Sequence, residues 1–428
     1  MKADDFLRSW YVSLLLIGVP AGTVQAAPPL NSPLELAELL EEAVARNPEI
    51  QAAHQQWEAS KERVTQADTL PDPTFGVQLW NFPQNGNLLT SPGRTQNTIL
   101  TLAQKFPFPG KLSLNAEVAN RAAGIREQAI RGKEREILAR LKQAYYELFL
   151  AHKEIDVHHD QIDVVEQLFD TAKAKFRAGQ GTQVDVLKAQ VELSDLYQRL
   201  PVLEQRRETA AAKVNTLLNR DLRTPLGRPR EPSLAAPEKS IEALEQLAQT
   251  TRPELKAASL SIERSQQALA YAKRQYYPDF EVGVQRFQNF QAVDGFGAFG
   301  VMSIPFSFWT KSKYDAGVRE AKAGEAAARA ELQTWQNVTR FQITEVLAKV
   351  RAQQQVVDLY RTTILPQAEQ NMEAARAGYR TGRNSFLDFL EAERAWLEFR
   401  LAYYRALAER ESQFAVLEQV VGTFLAHT

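Results

Sequence analysis

Four side chains with metal-binding chemistry recur along one predicted helix: His152, Asp156, His159 and Asp163. Their spacing places all four on one stripe, because an α-helix advances by about 100° per residue. Imidazole and carboxylate groups are common ligands of divalent metals. A charged helical stripe is, however, more commonly a solvated face of the protein. The pattern therefore favours a solvated face, and the sequence indicates neither a metal site nor a cofactor.

Catalytic constellations are missing from the sequence. The chain contains no cysteine, so it has no thiolate nucleophile and no Cys-ligated zinc. Neither a G-x-G-x-x-G nor a G-x-x-x-x-G-K-[ST] phosphate-binding pattern occurs. The five histidines stand outside any recognised nucleophile motif: His54, His152, His158, His159 and His427. We therefore predict that the protein is not an enzyme.

The overall charge is balanced. The chain has 428 residues with 51 Lys and Arg against 52 Asp and Glu, and 44% of its residues are hydrophobic. A net charge of -1 provides no basic field that would attract nucleic acid. We predict an ordered protein with no nucleic-acid partner.

The N-terminus has the pattern of an export signal over residues 1–26. An apolar stretch at 10–19 follows Lys2 and Arg8, and small residues at Val24 and Ala26 suit cleavage after position 26. The apolar stretch has about half of the roughly 20 residues that a membrane-spanning helix needs. The sequence therefore predicts a secreted mature chain.

The mature chain is an internal duplication. Residues Phe176 to Gly179, followed by Asp185, recur at a constant offset of 203 as Tyr379 to Gly382, followed by Asp388. We divide the chain into a first repeat at 27–223, a proline-rich linker at 224–237 and a second repeat at 238–428.

Each repeat has the same predicted order of helix, two strands, long helix, glycine turn and helix. At 1.5 Å per residue each long helix would reach roughly 100 Å. Pro201 is expected to kink its helix, and Pro366 marks a similar break. The predicted helices cover residues 34–68, 111–178 and 185–219, then 238–276, 312–378 and 385–421, with tip turns at 179–184 and 380–387.

Two strand pairs interrupt the helices, as β-hairpins at 74–106 and 280–306. Phe75, Val77 and Leu79 alternate with small or polar residues, which is typical of strands with one apolar face. Each strand is about long enough to cross a bilayer in a barrel. Four strands cannot close a barrel, so either several chains pool their strands or the hairpins lie outside a membrane.

These features together resemble the outer-membrane efflux protein family, the duct-forming component of tripartite exporters. The resemblance rests on the export signal, the duplicated element order, the two glycine turns and the sequence Phe106-Pro107-Phe108-Pro109-Gly110-Lys111, and it spans about residues 34–422. Among subgroups the chain is most similar to outer-membrane components of heavy-metal resistance-nodulation-division systems, such as cobalt-zinc-cadmium or copper-silver exporters. It departs from lipidated members in lacking an N-terminal cysteine.

The resemblance implies a mainly α-helical protein with a small membrane β part. Three protomers would give four strands each to one twelve-stranded barrel, continued by an α-helical barrel in the periplasm. It implies a homotrimer in the outer membrane, in contact with outer-membrane lipid. Its partners would be a periplasmic adaptor protein and an inner-membrane resistance-nodulation-division pump, and its function would be passive conduction of their substrates, heavy-metal cations in the most similar subgroup.

The resemblance also assigns roles to the tip turns. Gly179 and Gly382, with Arg177 and Arg380 beside them, would lie at the membrane-distal tips where family members meet the adaptor. The two glycines would supply a turn that requires positive φ.

The entrance to the duct would carry charge and a closing contact. By resemblance Asp388 and Glu391 would form acidic rings around it, and their i,i+3 spacing puts both on one helical face. Tyr379 and Asp185 match positions whose hydrogen bond helps to hold family members shut. The alternative for Asp185 and Asp388 is that each simply begins a helix, where Asp is favoured.

A second class of function stays open, that of a soluble periplasmic coiled-coil adaptor or scaffold. An adaptor should contain one helical hairpin joined to compact β domains. Two duplicated helical sets, each interrupted by a strand pair, favour the channel.

Overall fold

The structure is a computed structural model that describes residues 33–80, 97–232, 239–289, 293–305 and 307–425. The predicted export signal lies outside the described residues, as does part of the predicted linker.

The first repeat is built on one very long helix. This helix, α3, has 67 residues and is about 100 Å long. Helices α2 and α4 both pack along it. The helices of this repeat are α1 (Leu36–Arg46), α2 (Pro48–Asp68), α3 (Lys111–Arg177) and α4 (Gln183–Leu217).

The second repeat has the same plan. Its α9 contacts both long helical segments, α3 of the first repeat and α7 of its own, so it joins the two repeats side by side. The helices are α5 (Ile241–Thr251), α6 (Pro253–Arg274), α7 (Lys311–Leu359), α8 (Leu365–Arg380) and α9 (Phe386–Val421).

The continuous helices predicted at 34–68 and 238–276 are wrong, because each is two helices. The breaks fall at Asn47 and Arg252, which have extended backbones and precede Pro48 and Pro253. A residue before proline is disfavoured in the α region, whereas proline itself fits the first turn of the next helix. The Asn47 side chain also accepts a hydrogen bond from the Glu49 backbone N–H at 2.9 Å.

The two prolines inside predicted helices behave differently. Helix α4 continues through Pro201. In the other helix a π-helical turn at Tyr360–Ile364 separates α7 from α8 just before Pro366. Proline removes a backbone donor and crowds the preceding helical turn. The wider π turn lies in the turn that Pro366 would crowd. The break expected at Pro366 is therefore present as a π turn.

The two hairpins form one antiparallel sheet in the order β1-β2-β3-β4. The β2–β3 pairing connects the two hairpins, and it runs from Asn97 opposite Asn289 to Phe106 opposite Phe280. Strands β1 and β4 are the two edges. The strands are β1 (Thr74–Trp80), β2 (Asn97–Phe106), β3 (Phe280–Asn289) and β4 (Gly295–Met302).

One face of this sheet is rich in large apolar side chains. Cross-strand pairing puts Phe75 opposite Leu102, and Leu102 opposite Val284. All three are more than half exposed in the single chain, at 69%, 52% and 56%. The other face carries Gly76, Gln78, Thr101, Gly283 and Gln285. The first face is therefore mainly apolar, whereas the second mixes small and polar residues with Ile99, Phe287 and Phe299.

No helix in the described ranges is long and apolar enough to cross a membrane.

Candidate functional site

The first tip turn joins α3 to α4 through a left-handed glycine. Gly179 has φ +71°. The Gln180 N–H donates to the Lys175 carbonyl at 2.8 Å and the Gly179 N–H donates to the Phe176 carbonyl at 3.0 Å. This pair of bonds is the Schellman arrangement that ends helices at a C′ glycine. The predicted requirement for positive φ at Gly179 is confirmed.

The second tip turn repeats this geometry at Gly382. Its φ is +76°. The Arg383 N–H donates to the Gly378 carbonyl at 2.8 Å, and the Gly382 N–H donates to the Tyr379 carbonyl at 3.2 Å. The helices leave only residues 178–182 and 381–385 between them, so both turns are shorter than the predicted 179–184 and 380–387.

Both following helices begin with a capping box. In α4 the Asp185 N–H donates to the Thr182 hydroxyl at 3.2 Å and the Asp185 carboxylate accepts from the Thr182 N–H at 3.3 Å. In α9 Ser385 and Asp388 make the same two bonds, at 3.2 and 2.9 Å. The capping alternative for Asp185 and Asp388 is therefore present in the structure, and it leaves the charge of each carboxylate in place.

Tyr379 lies inside the second tip. Its side chain is 6% exposed, and its ring centroid lies 6.0 Å from that of Phe386 and 6.2 Å from that of Phe389. Lys175 of α3 places its ammonium 4.1 Å from the Tyr379 ring centroid and donates to the Tyr379 carbonyl. The end of α8 is thereby bound to the end of α3.

The expected hydrogen bond between Tyr379 and Asp185 is not made in the described part of the chain. The Asp185 carboxylate is instead bonded to Thr182. Burial and then the Asp185 charge raise the pKa of the Tyr379 hydroxyl. Asp185 therefore acts on Tyr379 through its charge, without a hydrogen bond among the described residues.

Asp388 and Glu391 are both exposed on one face of α9. They line an open groove between α8 and α9, together with Asn371, Asn384 and Ala395. The hydrogen bond from the Ser385 backbone lowers the pKa of the Asp388 carboxyl. Asp388 therefore carries a full negative charge at neutral pH, on a surface that the single chain leaves open.

The two tip arginines lie where the sequence places them. Arg177 ends α3 and Arg380 ends α8, and both side chains are exposed. Basic residues in a last turn interact favourably with the helix dipole. Their exposure leaves them accessible to a partner at the tip.

Sequence reasoning missed a buried acid next to this site. Glu393 is 1% exposed, and neither of its carboxylate oxygens has a hydrogen-bond partner among the described residues. Burial and then the neighbouring Glu192 raise the pKa of Glu393 to about 8. Glu192 is itself bound by Arg394 across α4 and α9. Helical periodicity places Glu393 on the same face as Phe386 and Leu390. An acidic residue on this apolar face was the sequence signal for a buried carboxyl group.

The histidine stripe makes ordinary protein contacts. Asp156 pairs with Arg228 at 3.2 Å, and burial followed by the Arg228 charge lowers the pKa of His152. His159 and Asp163 are exposed. Among the described residues no group of three potential ligands is arranged to hold a metal ion.

The fold combines an edge-exposed antiparallel sheet at one end with two capped glycine turns between long helices at the other. The family described as outer membrane efflux protein matches this sequence over residues 39–220 and 244–423. The chain belongs to this family. Its location is the outer membrane, with a periplasmic helical extension, and its partners are those of the family: further copies of itself, a periplasmic adaptor and an inner-membrane pump.

Individual relatives cover most of the chain. The cobalt-zinc-cadmium resistance protein CzcC of Cupriavidus metallidurans is 22% identical over 399 residues, which is 91% of this chain and 90% of that protein. Nodulation protein T of Rhizobium leguminosarum bv. trifolii is 22% identical over 410 residues, covering 92% of this chain and 86% of that protein. The solved structure of CusC superposes with a TM-score of 0.78 at 16% identity, over 92% of this chain and 94% of CusC.

These comparisons confirm the fold class and the resemblance predicted from the sequence. Membership of a family of passive outer-membrane channels means that the chain is not an enzyme. It also removes the soluble adaptor alternative.

Proposed function

We propose that three copies of this chain form the outer-membrane duct of a tripartite efflux pump, and that the duct conducts heavy-metal cations handed over by an adaptor and an inner-membrane pump. The observation that carries this proposal is the sheet. Its apolar face is exposed, and among the described residues β1 and β4 each lack a partner on their outer side. The helices of the same chain extend about 100 Å from this sheet to the tips.

Closure by three copies follows from the physics of a bilayer. Unpaired backbone groups are not tolerated in the hydrocarbon core, so the edges β1 and β4 must find partners. Three copies of a four-stranded sheet make a closed barrel of a size known for membranes. The apolar face then meets lipid, and the face that carries Gly76, Gln78 and Thr101 lines the lumen.

The cargo is the finer part of the proposal. Its support is the similarity to CzcC, a cobalt-zinc-cadmium resistance protein. It is also supported by Asp388 and Glu391, because repeated acidic residues at a narrow mouth concentrate cations. The equal identity to nodulation protein T makes the cargo a question for experiment.

The test has two arms. Purified in detergent, the mature chain should be a trimer that gives cation-preferring conductance in planar bilayers; a stable monomer in the soluble fraction would overturn the duct. In the native host, deletion of the gene should raise cellular cobalt, zinc or cadmium, measured by mass spectrometry, and increase sensitivity to those metals. Unchanged metal content together with new sensitivity to dyes or detergents would be consistent with an efflux duct but would reject heavy-metal cations as its substrates.

A further inference from the structure

An ion pair lies at the joint between the two repeats. The Lys111 ammonium, at the first residue of α3, is 2.8 Å from the Asp279 carboxylate and donates to the Tyr277 carbonyl at 2.8 Å. The same carboxylate accepts from the Phe108 N–H at 2.9 Å. Lys111 is buried. This contact fixes the start of a long helix against the residue that precedes β3.

The internal duplication relates the two hairpins, and the strand pairing has the same register in both. An offset of 207 carries Asp72 onto Asp279 and β1 onto β3, and an offset of 198 carries β2 onto β4. Under these offsets the observed pair Thr74 and Ala103 becomes Glu281 and Val301, which are indeed opposite each other. The two hairpins therefore share one register, and the offsets can be applied to the joint.

The long helices are related by a slightly larger offset than β2 and β4, because two additional residues separate β4 from α7. An offset of 200 carries Lys111 onto Lys311, the first residue of α7, and Gly124 onto Gly324. A Cβ built at Gly124 would contact Leu260 of α6 at 3.4 Å, whereas a Cβ at Gly324 would meet nothing within 4 Å. The face of α7 that corresponds to the covered face of α3 is open in the single chain.

The β2–β3 pairing and the Lys111–Asp279 ion pair connect the two repeats. The same offsets applied to these contacts predict an equivalent pairing between β4 and β1. These strands are the opposite edges of the sheet, three strand spacings or about 14 Å apart, so one chain cannot pair them. The corresponding ion pair would join Lys311 and Asp72. Both residues are exposed, and neither makes an ion pair within the described part of the chain.

We propose that β4 of one chain pairs antiparallel with β1 of a second copy, with Ala298 opposite Leu79 and Gly300 opposite Val77, and that Lys311 of the first chain forms an ion pair with Asp72 of the second. This inference rests on the proposed oligomeric duct. It specifies the register of the interface and an electrostatic contact at the base of the sheet, which closure alone leaves undetermined.

The apolar face independently excludes a slip of this register by one residue. In β4, Ala298 and Met302 share the face of Val284 and Phe280. In β1, Leu79 and Phe75 share the face of Leu102. The proposed register sets these two rows opposite each other and continues the apolar face across the interface. A slip of one residue would put the Gln78 row onto that face.

The absence of native cysteine permits a direct test by disulfide formation. Directly opposite residues in antiparallel strands have Cα atoms about 4.5–5.5 Å apart, within the range of a disulfide, whereas diagonal neighbours lie about 7–8 Å apart. The test variant carries Leu79→Cys and Ala298→Cys. The matched control carries Val77→Cys and Ala298→Cys, which the register displaces by two residues.

Oxidised in isolated outer membranes, the test variant should run as a covalent trimer on a non-reducing denaturing gel, and the control should stay monomeric. Preferential cross-linking of the control would overturn the register. So would failure of both pairs in a protein that is a trimer by detergent chromatography. If the cysteine-free protein itself forms no trimer, the duct and the interface both fail, so the two failures are distinguishable.

A charge exchange tests the ion pair. Asp72→Lys and Lys311→Asp should each lower the temperature at which the trimer dissociates in detergent, and the double exchange should restore most of that loss. Lys111→Asp combined with Asp279→Lys is the matched exchange within one chain, and it should change chain folding rather than trimer dissociation. A double variant that is no better than its single variants would reject the Lys311–Asp72 contact.

Discussion

The two tips have the same backbone and different interiors. Phe176 and Tyr379 are equivalent at an offset of 203, and each precedes a left-handed glycine and a capping box. Phe176 is 47% exposed, whereas Tyr379 is 6% exposed. Turn and cap chemistry is thus preserved in both copies, and burial of the aromatic ring is present in only one.

The neighbouring helices explain this difference. Helix α9 packs against α3, α7 and α8, whereas α4 packs chiefly on α3. Phe386, Phe389 and Leu390 are accordingly buried at the second tip. The first tip leaves a row of apolar side chains exposed: Val184, Leu187 and Val191. Local sequence therefore sets the shape of a tip, and contacts with the rest of the chain decide whether it has a core.

The largest expected effect comes from emptying that core. Tyr379→Ala should destabilise the second tip by about 3–5 kcal/mol, as large-to-small changes of buried aromatic residues do. Phe176→Ala should cost far less because its ring is half exposed. Hydrogen exchange of the tip peptides measures the stability, and we expect higher conductance for Tyr379→Ala only. Equal effects of the two substitutions would contradict the asymmetry of the tips.

A second effect distinguishes the tips by pH. The pKa of Glu393 is raised to about 8, so the neutral acid stabilises the packed tip fully below its unfolded pKa of about 4.5, and this contribution is lost as the pH rises from there through about 8. The opening equilibrium should rise by up to about tenfold per pH unit in that window. The equivalent residue at the first tip is Gln190, which does not titrate.

Hydrogen exchange between pH 5 and 9, with Glu393→Gln as reference for the intrinsic rates, measures this dependence. The exchange of the second tip should accelerate relative to Glu393→Gln as pH rises, and that of the first tip should not. Glu192 and Arg394 are the charged groups that act on Glu393. Because the Glu192 charge raises the pKa of Glu393, Glu192→Gln should move the loss of stability of the second tip to lower pH. Identical profiles for wild type and Glu393→Gln would reject Glu393 as the titrating group.

Much of this comparison was accessible from the sequence. Gly179, Gly382, Asp185 and Asp388 identified the turns and caps because these depend on residue type at fixed local spacing. Burial of Glu393 was not found, because its environment is made by helices far away in the sequence. The breaks at Asn47 and Arg252 were missed because apolar periodicity continues through them, although the prolines that follow were visible.

The glycines should show the smaller, symmetric effect. Gly179→Val and Gly382→Val should each strain the left-handed turn by about 1–2 kcal/mol, since a Cβ at either position meets nothing within 4 Å and only φ is unfavourable. Export to the outer membrane should stay normal while adaptor binding, measured by pull-down, is impaired. Gly382→Asn is the matched control, because Asn tolerates this backbone region. Loss of export to the outer membrane in both Val variants would contradict the assignment of these turns to adaptor binding.

The most direct test of the account concerns charge at the second tip. Asp388 and Glu391 are exposed acids there, whereas the equivalent positions of the first tip hold Asp185 and Lys188. The double variant Asp388→Asn with Glu391→Gln preserves the side-chain shapes and keeps a side-chain oxygen at position 388 that can accept from the Ser385 N–H. Reversal potentials in planar bilayers should show a reduced cation preference for this variant, and an unchanged preference for the matched pair Asp185→Asn with Lys188→Gln. Unchanged cation preference in Asp388→Asn with Glu391→Gln, on channels that conduct, would contradict the assignment of the duct entrance to the second tip.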